Sequence, residues 1–145
     1  MQKQREIRRM RPGEVDSVML IWLQGNMDAH PFIAASYWQG NMAEVREAIL
    51  AAEIWVCADG DIQGFIGIVD GYVAGLFVRS DARGLGIGTA LLSKARESSE
   101  RLCLHVYKKN RAAVDFYLHN SFSICAMDVD GNTGEEEYEM QWSRR

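Results

Sequence analysis

Residues Val73 to Leu92, VAGLFVRSDARGLGIGTALL, set an apolar strand directly before a glycine-spaced turn, Arg83-Gly84-Leu85-Gly86-Ile87-Gly88, and an amphipathic helix directly after it. Glycine at every second position clears side chains from the turn, so consecutive backbone N–H groups can converge on an anion. The helix that follows adds its unpaired first-turn N–H donors and the positive end of its dipole. A pyrophosphate fits such a corner. The spacing excludes two common nucleotide loops. No Lys follows the glycines as G-x-x-x-x-G-K-[ST] requires, and G-x-G-x-x-G counted from Gly84 puts Thr89 where the third glycine or alanine would stand.

The pattern that does fit is [Q/R]-x-x-G-x-[G/A], met by Arg83, Gly86 and Gly88. Downstream, Leu102 to Phe122 reads LCLHVYKKNRAAVDFYLHNSF. There an apolar strand ends shortly before Asn110, a helix starts, and Phe116-Tyr117 precedes Ser121-Phe122. Together the two segments resemble the GNAT family of N-acetyltransferases, and the resemblance covers nearly the whole chain. It implies acetyl-CoA as co-substrate, with Arg83, Gly84, Leu85, Gly86, Ile87, Gly88 and Thr89 around the pyrophosphate. It also implies that Leu76, Phe77 and Val78 pair with the pantetheine arm and that Asn110 belongs to the cofactor site. The family usually has Gly where Ser121 stands, and Asn120 is expected to take that left-handed role.

Outward from these motifs, Arg5 to Met10 reads as a first strand ended by Pro12, and Glu14 to Gln24 as a helix with Val15, Val18, Met19, Trp22 and Leu23 on one face. Ala34 to Ala52 is expected to form one second helix. Ile54 to Ala58, Gln63 to Asp70 and Tyr72 to Val78 read as strands joined at Asp59-Gly60 and Asp70-Gly71, both hairpin signals. Helix Gly86 to Ser99, strand Leu102 to Tyr107, helix Arg111 to His119, strand Phe122 to Val129 and strand Glu137 to Trp142 complete the chain. The order β-α-α-β-β-β-α-β-α-β-β predicts an α+β fold on a mixed sheet, similar to GNAT proteins along its length. In that fold Tyr72–Val78 and Leu102–Tyr107 are parallel neighbours that splay apart, and Gly75 is placed for the bulge responsible. With no linker or repeat, residues 1–145 read as a single domain.

Composition agrees with an ordinary globule: 48% hydrophobic and 25% charged residues in 145. A net charge of −4 excludes a general nucleic-acid binder, which needs a basic patch. No apolar run approaches a membrane span, and MQKQREIRRM is too charged for a signal-peptide core, so a cytoplasmic protein is expected. Cys57, Cys103 and Cys125 sit among apolar residues, as expected of reduced, buried thiols. Neither C-x-x-C nor H-x-x-x-H clustering occurs, so no metal site is expected.

Acetyl transfer to an amine asks for a donor to the leaving thiolate and a base for the amine proton. The resemblance puts Tyr117 beside the sulfur, and a phenol with a pKa of about 10 is a neutral donor at pH 7. His105 alternates with the apolar Leu102, Leu104 and Val106, at a position where related N-terminal acetyltransferases carry a catalytic Glu. Its alternatives as base are Asp70 and a water chain, and a purely structural histidine is equally compatible. His30-Pro31-Phe32 falls where the family builds its acceptor loop, which makes His30, Phe32 and Asp70 candidate substrate residues. Small bacterial family members share this helix–H-[PD]-F–helix arrangement and roughly this length. The acceptor expected is a protein lysine or N-terminal amine, then a small amine such as a polyamine, amino acid or aminoglycoside. A non-catalytic acyl-CoA sensor is the alternative of another class. Either a monomer or a homodimer is compatible.

Overall fold

The computed structural model describes residues 5–144. Strand β1 (Glu6–Arg9) is followed by a 3-10 turn at Pro12–Glu14 and by helix α1 (Val15–Ala29). Helix α1 buries Val15, Val18, Met19, Ile21 and Trp22 and runs on past Gln24, where the sequence pattern ends it. Gly25 inside this helix has a packing reason: a Cβ there would stand 2.5 Å from the Phe77 ring. The predicted second helix is two helices, α2 (Ala35–Gly40) and α3 (Met42–Ala51). They part at Asn41, directly after Gly40, where Asn41 Nδ2 donates to the Tyr37 carbonyl at 2.7 Å and competes with the helical ladder.

Strands β2 (Glu53–Asp59), β3 (Asp61–Val69) and β4 (Tyr72–Val78) form a meander. Its turns use the backbone freedom the sequence offers: Gly60 has φ 76°, and Asp70 (φ 49°) with Gly71 (φ 78°) make the two-residue turn between paired Val69 and Tyr72. Then come α4 (Ile87–Glu97), β5 (Arg101–Tyr107), α5 (Arg111–His119), β6 (Ser123–Val129) and β7 (Glu136–Ser143). The seven strands make one mixed sheet in the order β1-β2-β3-β4-β5-β7-β6. Among the described residues only β4 and β5 are parallel neighbours, and their ladder consists of a single pair, Tyr72 with Cys103.

The cause of that brevity is a bulge. Gly67 faces Gly75 while Ile68 faces Val73, so Ala74 has no counterpart on β3, and the extra residue turns β4 away from β5. Beyond this point the β4 edge at Leu76–Val78 lies open.

Two cores lock the sheet. On one face α4 and α5 cover Ile66, Leu102, Leu104 and Met140, with Leu91 and Leu92 fully buried. On the other, α1 to α3 cover Ile54, Val56 and Phe65. Phe65 and Ile66 thus serve opposite cores from successive positions, as strand alternation requires. Each such side chain contributes on the order of 1.5–3 kcal/mol by burial.

Two local expectations are corrected. Asn120 keeps φ −99°, its Nδ2 bonded to the Phe116 carbonyl, and Ser121 takes the left-handed conformation at φ 72°. Ser121 N then bonds Leu118 O at 3.2 Å and Phe122 N bonds Tyr117 O at 3.0 Å, a Schellman ending built on serine. Of the cysteines, Cys57 is buried, but Cys103 is half-buried and Cys125 is exposed. Cys125 lies on β6, an edge strand exposed throughout.

Candidate active site

A cavity of about 880 Å³ opens where β4 and β5 separate, large enough for a sizeable ligand. Four segments wall it: the β4 edge at Leu76, Phe77 and Val78; the turn at Arg83, Gly84, Gly86, Ile87, Gly88 and Thr89; the start of α5 from Lys109 to Ala113 with Phe116 and Tyr117; and the end of α1 with Pro31 and Phe32.

Backbone geometry explains the glycines. Gly84 and Gly86 both stand at φ 79°, where side chains are strained, and no atom lies within 4 Å of a Cβ added at either. Gly86 is the N-cap of α4, which leaves the first helical amides, those of Ile87, Gly88 and Thr89, without intrahelical partners at the cavity wall. Gly88 serves packing, since a Cβ there would meet the Phe116 ring at 3.0 Å. The open β4 edge, the free amides and the Arg83 and Arg111 guanidiniums suit a chain of amides ending in a pyrophosphate.

Tyr117 points from α5 into this cavity, 8% exposed and wedged edge-on between Phe116 and Phe122. Burial, reinforced by the nearby Tyr72, pushes its hydroxyl above the ordinary phenol range, so it is a proton donor throughout neutral pH. Asn110 begins α5, its Oδ1 accepting from Ala113 N at 3.3 Å.

Of the remaining predicted residues Phe32 belongs to the cavity wall, whereas Leu85, His30, Asp70 and His105 do not. Leu85 is half exposed and is the one position from Arg83 to Thr89 that does not line the cavity. Phe32 reaches the cavity, with Lys109 Nζ 5.4 Å above its ring, but His30 is buried behind it against Trp38 and Tyr107. Burial pushes the His30 imidazole down to about 4, partly offset by the Asn26 carbonyl. Asp70 sits in the turn before β4, roughly 20 Å along that strand from Leu76, so the structure does not bring it to the site. His105 lies about 7 Å along β5 from the Tyr72–Cys103 pair, on the face opposite Leu104 and Val106. Its Nδ1 is 2.8 Å from the Tyr72 hydroxyl and its Nε2 3.6 Å from Glu139 Oε1. Glu137 stands on the same sheet face; burial raises its carboxyl, and the field of His105 lowers it. Sequence reasoning missed the contributions of Gly25 and Phe116. An isolated glycine within a helical pattern was the available signal for the first.

A family profile for the acetyltransferase (GNAT) domain matches residues 51–124, a span that includes the open strand, the glycine turn and α5. The chain belongs to the GNAT family. Peptidyl-lysine N-acetyltransferase YiaC of Escherichia coli is 35% identical to it over 139 residues, covering 94% of this chain and 95% of YiaC. Peptidyl-lysine N-acetyltransferase YjaB of the same organism is 30% identical over 81% of this chain and 82% of its own. The solution structure of apo YjaB superposes with a TM-score of 0.84 at 26% identity, covering 96% of this chain and 97% of that one. The PaiA N-acetyltransferase of Thermoplasma acidophilum, crystallised with coenzyme A, shares the fold at a TM-score of 0.80 and 19% identity, over 97% of this chain and 99% of its own. This GNAT chain is therefore an acetyl-CoA-dependent N-acetyltransferase. Among the described residues no group of three or more His, Cys, Asp or Glu is placed to hold a metal ion, and no helix is long and apolar enough to cross a membrane.

Proposed function

We propose that this enzyme acetylates protein lysine side chains by direct attack of the amine on acetyl-CoA, with Tyr117 as general acid and His105 as general base. The observation that carries the reading is one cavity joining the glycine turn, the open β4 edge and the buried Tyr117 hydroxyl. The acetyl-CoA pyrophosphate would rest on the amides after Gly86, and the pantetheine arm would lie along Leu76–Val78 beside Asn110. The names of YiaC and YjaB support lysine as acceptor, and so do Glu137 and Glu139, which offer a cationic amine a favourable field on the far side of the gap.

Lysine amines, with a pKa of about 10.4, are almost wholly protonated at pH 7 and must lose a proton before attack. His105, with its Nδ1–H turned to the Tyr72 hydroxyl oxygen, would take it on Nε2, where the Glu139 carboxylate 3.6 Å away stabilises the imidazolium that forms. The amine nitrogen then bonds to the acetyl carbon, the carbon–sulfur bond breaks, and Tyr117 gives its proton to the departing thiolate.

A thiol-release assay with acetyl-CoA and separate lysine peptides, N-terminal peptides, polyamines and aminoglycosides tests the acceptor. Turnover is expected with internal lysine in a peptide; turnover confined to the small amines would overturn the assignment, and release with none of them would favour an acyl-CoA sensor. His105→Gln tests the base. The substitution keeps size and hydrogen bonding, so kcat/KM at pH 7 should fall about 10²-fold, and one ionisation should vanish from its pH profile. Identical profiles in both proteins would move the proton to a water relay.

A further inference from the structure

We propose that His30 is a positioning residue of the acyl-donor site, a neutral imidazole whose Nε2 accepts a hydrogen bond from Asn110 and so fixes the Asn110 amide at the start of α5. The inference rests on the reading of the cavity as the acetyl-CoA site.

Asn110 has one acceptor end and one donor end. Its Oδ1 is committed to the Ala113 amide, which leaves Nδ2 facing His30 Nε2 at 3.3 Å. A flipped amide would aim N–H at N–H and lose the cap of α5. The ring must then be the Nδ1–H tautomer, because Nε2 serves as acceptor. A cationic ring would also set two donors against each other. Packing holds the ring in place: Trp38 stacks on it at 5.3 Å, while Phe32 and Tyr107 meet it edge-on. Among the described residues no carboxylate acts on it. Asp130 accepts from the Tyr107 hydroxyl. Nδ1 is buried and has no partner at full hydrogen-bond geometry, and the Asn26 carbonyl is the acceptor whose field acts on the ring.

The bond ties together segments 80 residues apart. Pro31 and Phe32 next to His30 form one cavity wall, and Asn110 with Tyr117 the other. The acceptor loop implied by the sequence resemblance thus reaches the donor side through this histidine, which itself stays off the cavity surface.

Two measurements on the full chain test the assignment. Long-range proton–nitrogen correlation spectra of ring-labelled protein should show His30 with a protonated Nδ1 and a bare Nε2 from pH 7.5 to 5.5; the opposite tautomer, or a cation at pH 6, would overturn it. This readout needs no variant. Kinetically, His30→Gln retains an acceptor and should leave the acetyl-CoA KM within about threefold. His30→Leu keeps bulk but cannot accept, and should raise that KM about tenfold, the worth of one hydrogen bond to a buried amide, with the KM for peptide unchanged. Equal loss of thermal stability in both variants with unchanged acetyl-CoA KM would reduce His30 to packing. A shift in peptide KM alone would make it an acceptor contact. If calorimetry of the wild-type chain detects no acetyl-CoA binding, the cavity reading fails, and the spectra still decide the His30–Asn110 contact.

Discussion

Tyr117→Phe should lower kcat by about 10²–10⁴-fold while leaving acetyl-CoA affinity within about twofold. The ring carries the packing: it sits between Phe116 and Phe122, and the hydroxyl is the atom that can reach a leaving group in the cavity. A coenzyme A thiolate, with a pKa of about 8.5 by analogy with cysteine, leaves poorly into a dry site unless it is protonated in the same step. Burial raises the Tyr117 phenol, so its proton is held until the thiolate develops, and no loss of activity from its ionisation should appear below about pH 10. Stopped-flow comparison of single-turnover rates with calorimetric affinities separates chemistry from binding. A variant that keeps near-normal kcat with a good peptide acceptor would show that solvent protonates the thiolate and that Tyr117 is a packing residue.

What could be read from the chain beforehand follows from which residue types a backbone geometry demands. Gly84 and Gly86 were legible because φ 79° leaves few alternatives, and Asn110 because a helix start wants a short acceptor. The hairpin at Asp70-Gly71 was legible for the same reason. Its role was not: only the parallel pairing of Tyr72 with Cys103 shows that the turn lies at the far end of the strand from the open edge, while His105 lies beyond the pair on the side of the gap. Local competition was equally hidden. The apolar spacing from Tyr37 to Leu50 suits one helix, and the break depends on whether Asn41 turns back to the Tyr37 carbonyl. Periodicity carries no information on that choice. His30 shows the limit most plainly, since its partner Asn110 is 80 positions away and both were assigned to different substrates. A buried histidine reads the same in sequence whether it touches a ligand or holds another side chain.

The same histidine should make the enzyme acid-labile in a window of its own. An unfolded-state histidine titrates near 6.5, whereas burial lowers His30 to about 4 in the folded chain. Above about pH 6.5 the ring is neutral in both states and adds nothing to pH dependence. Between about 6.5 and 4 the unfolded state binds the extra proton, so stability falls as pH falls; below 4 both states are protonated and the loss is complete. At 1.36 kcal/mol per pH unit the full loss is about 3 kcal/mol, a large part of the 5–15 kcal/mol typical of a domain. His30 is 7% exposed, so solvent screening takes little from this figure. Glu14 contributes with the same sign in a lower window. Its carboxyl, held by Arg8 first and then by the Arg11 amide, is lowered to about 2, so its stabilisation is present above about 4.5 and is lost as pH falls through 2. The two effects overlap only below about 4.5. Unfolding free energies from urea titrations at pH 7.5, 6.0 and 5.0 should therefore decline for the wild type by about 2 kcal/mol in total, with the midpoint falling in step, and stay nearly level for His30→Gln, which has no ring to protonate. A wild-type midpoint that does not move over this range would mean that the folded chain admits the proton, and the neutral contact with Asn110 would have to be abandoned.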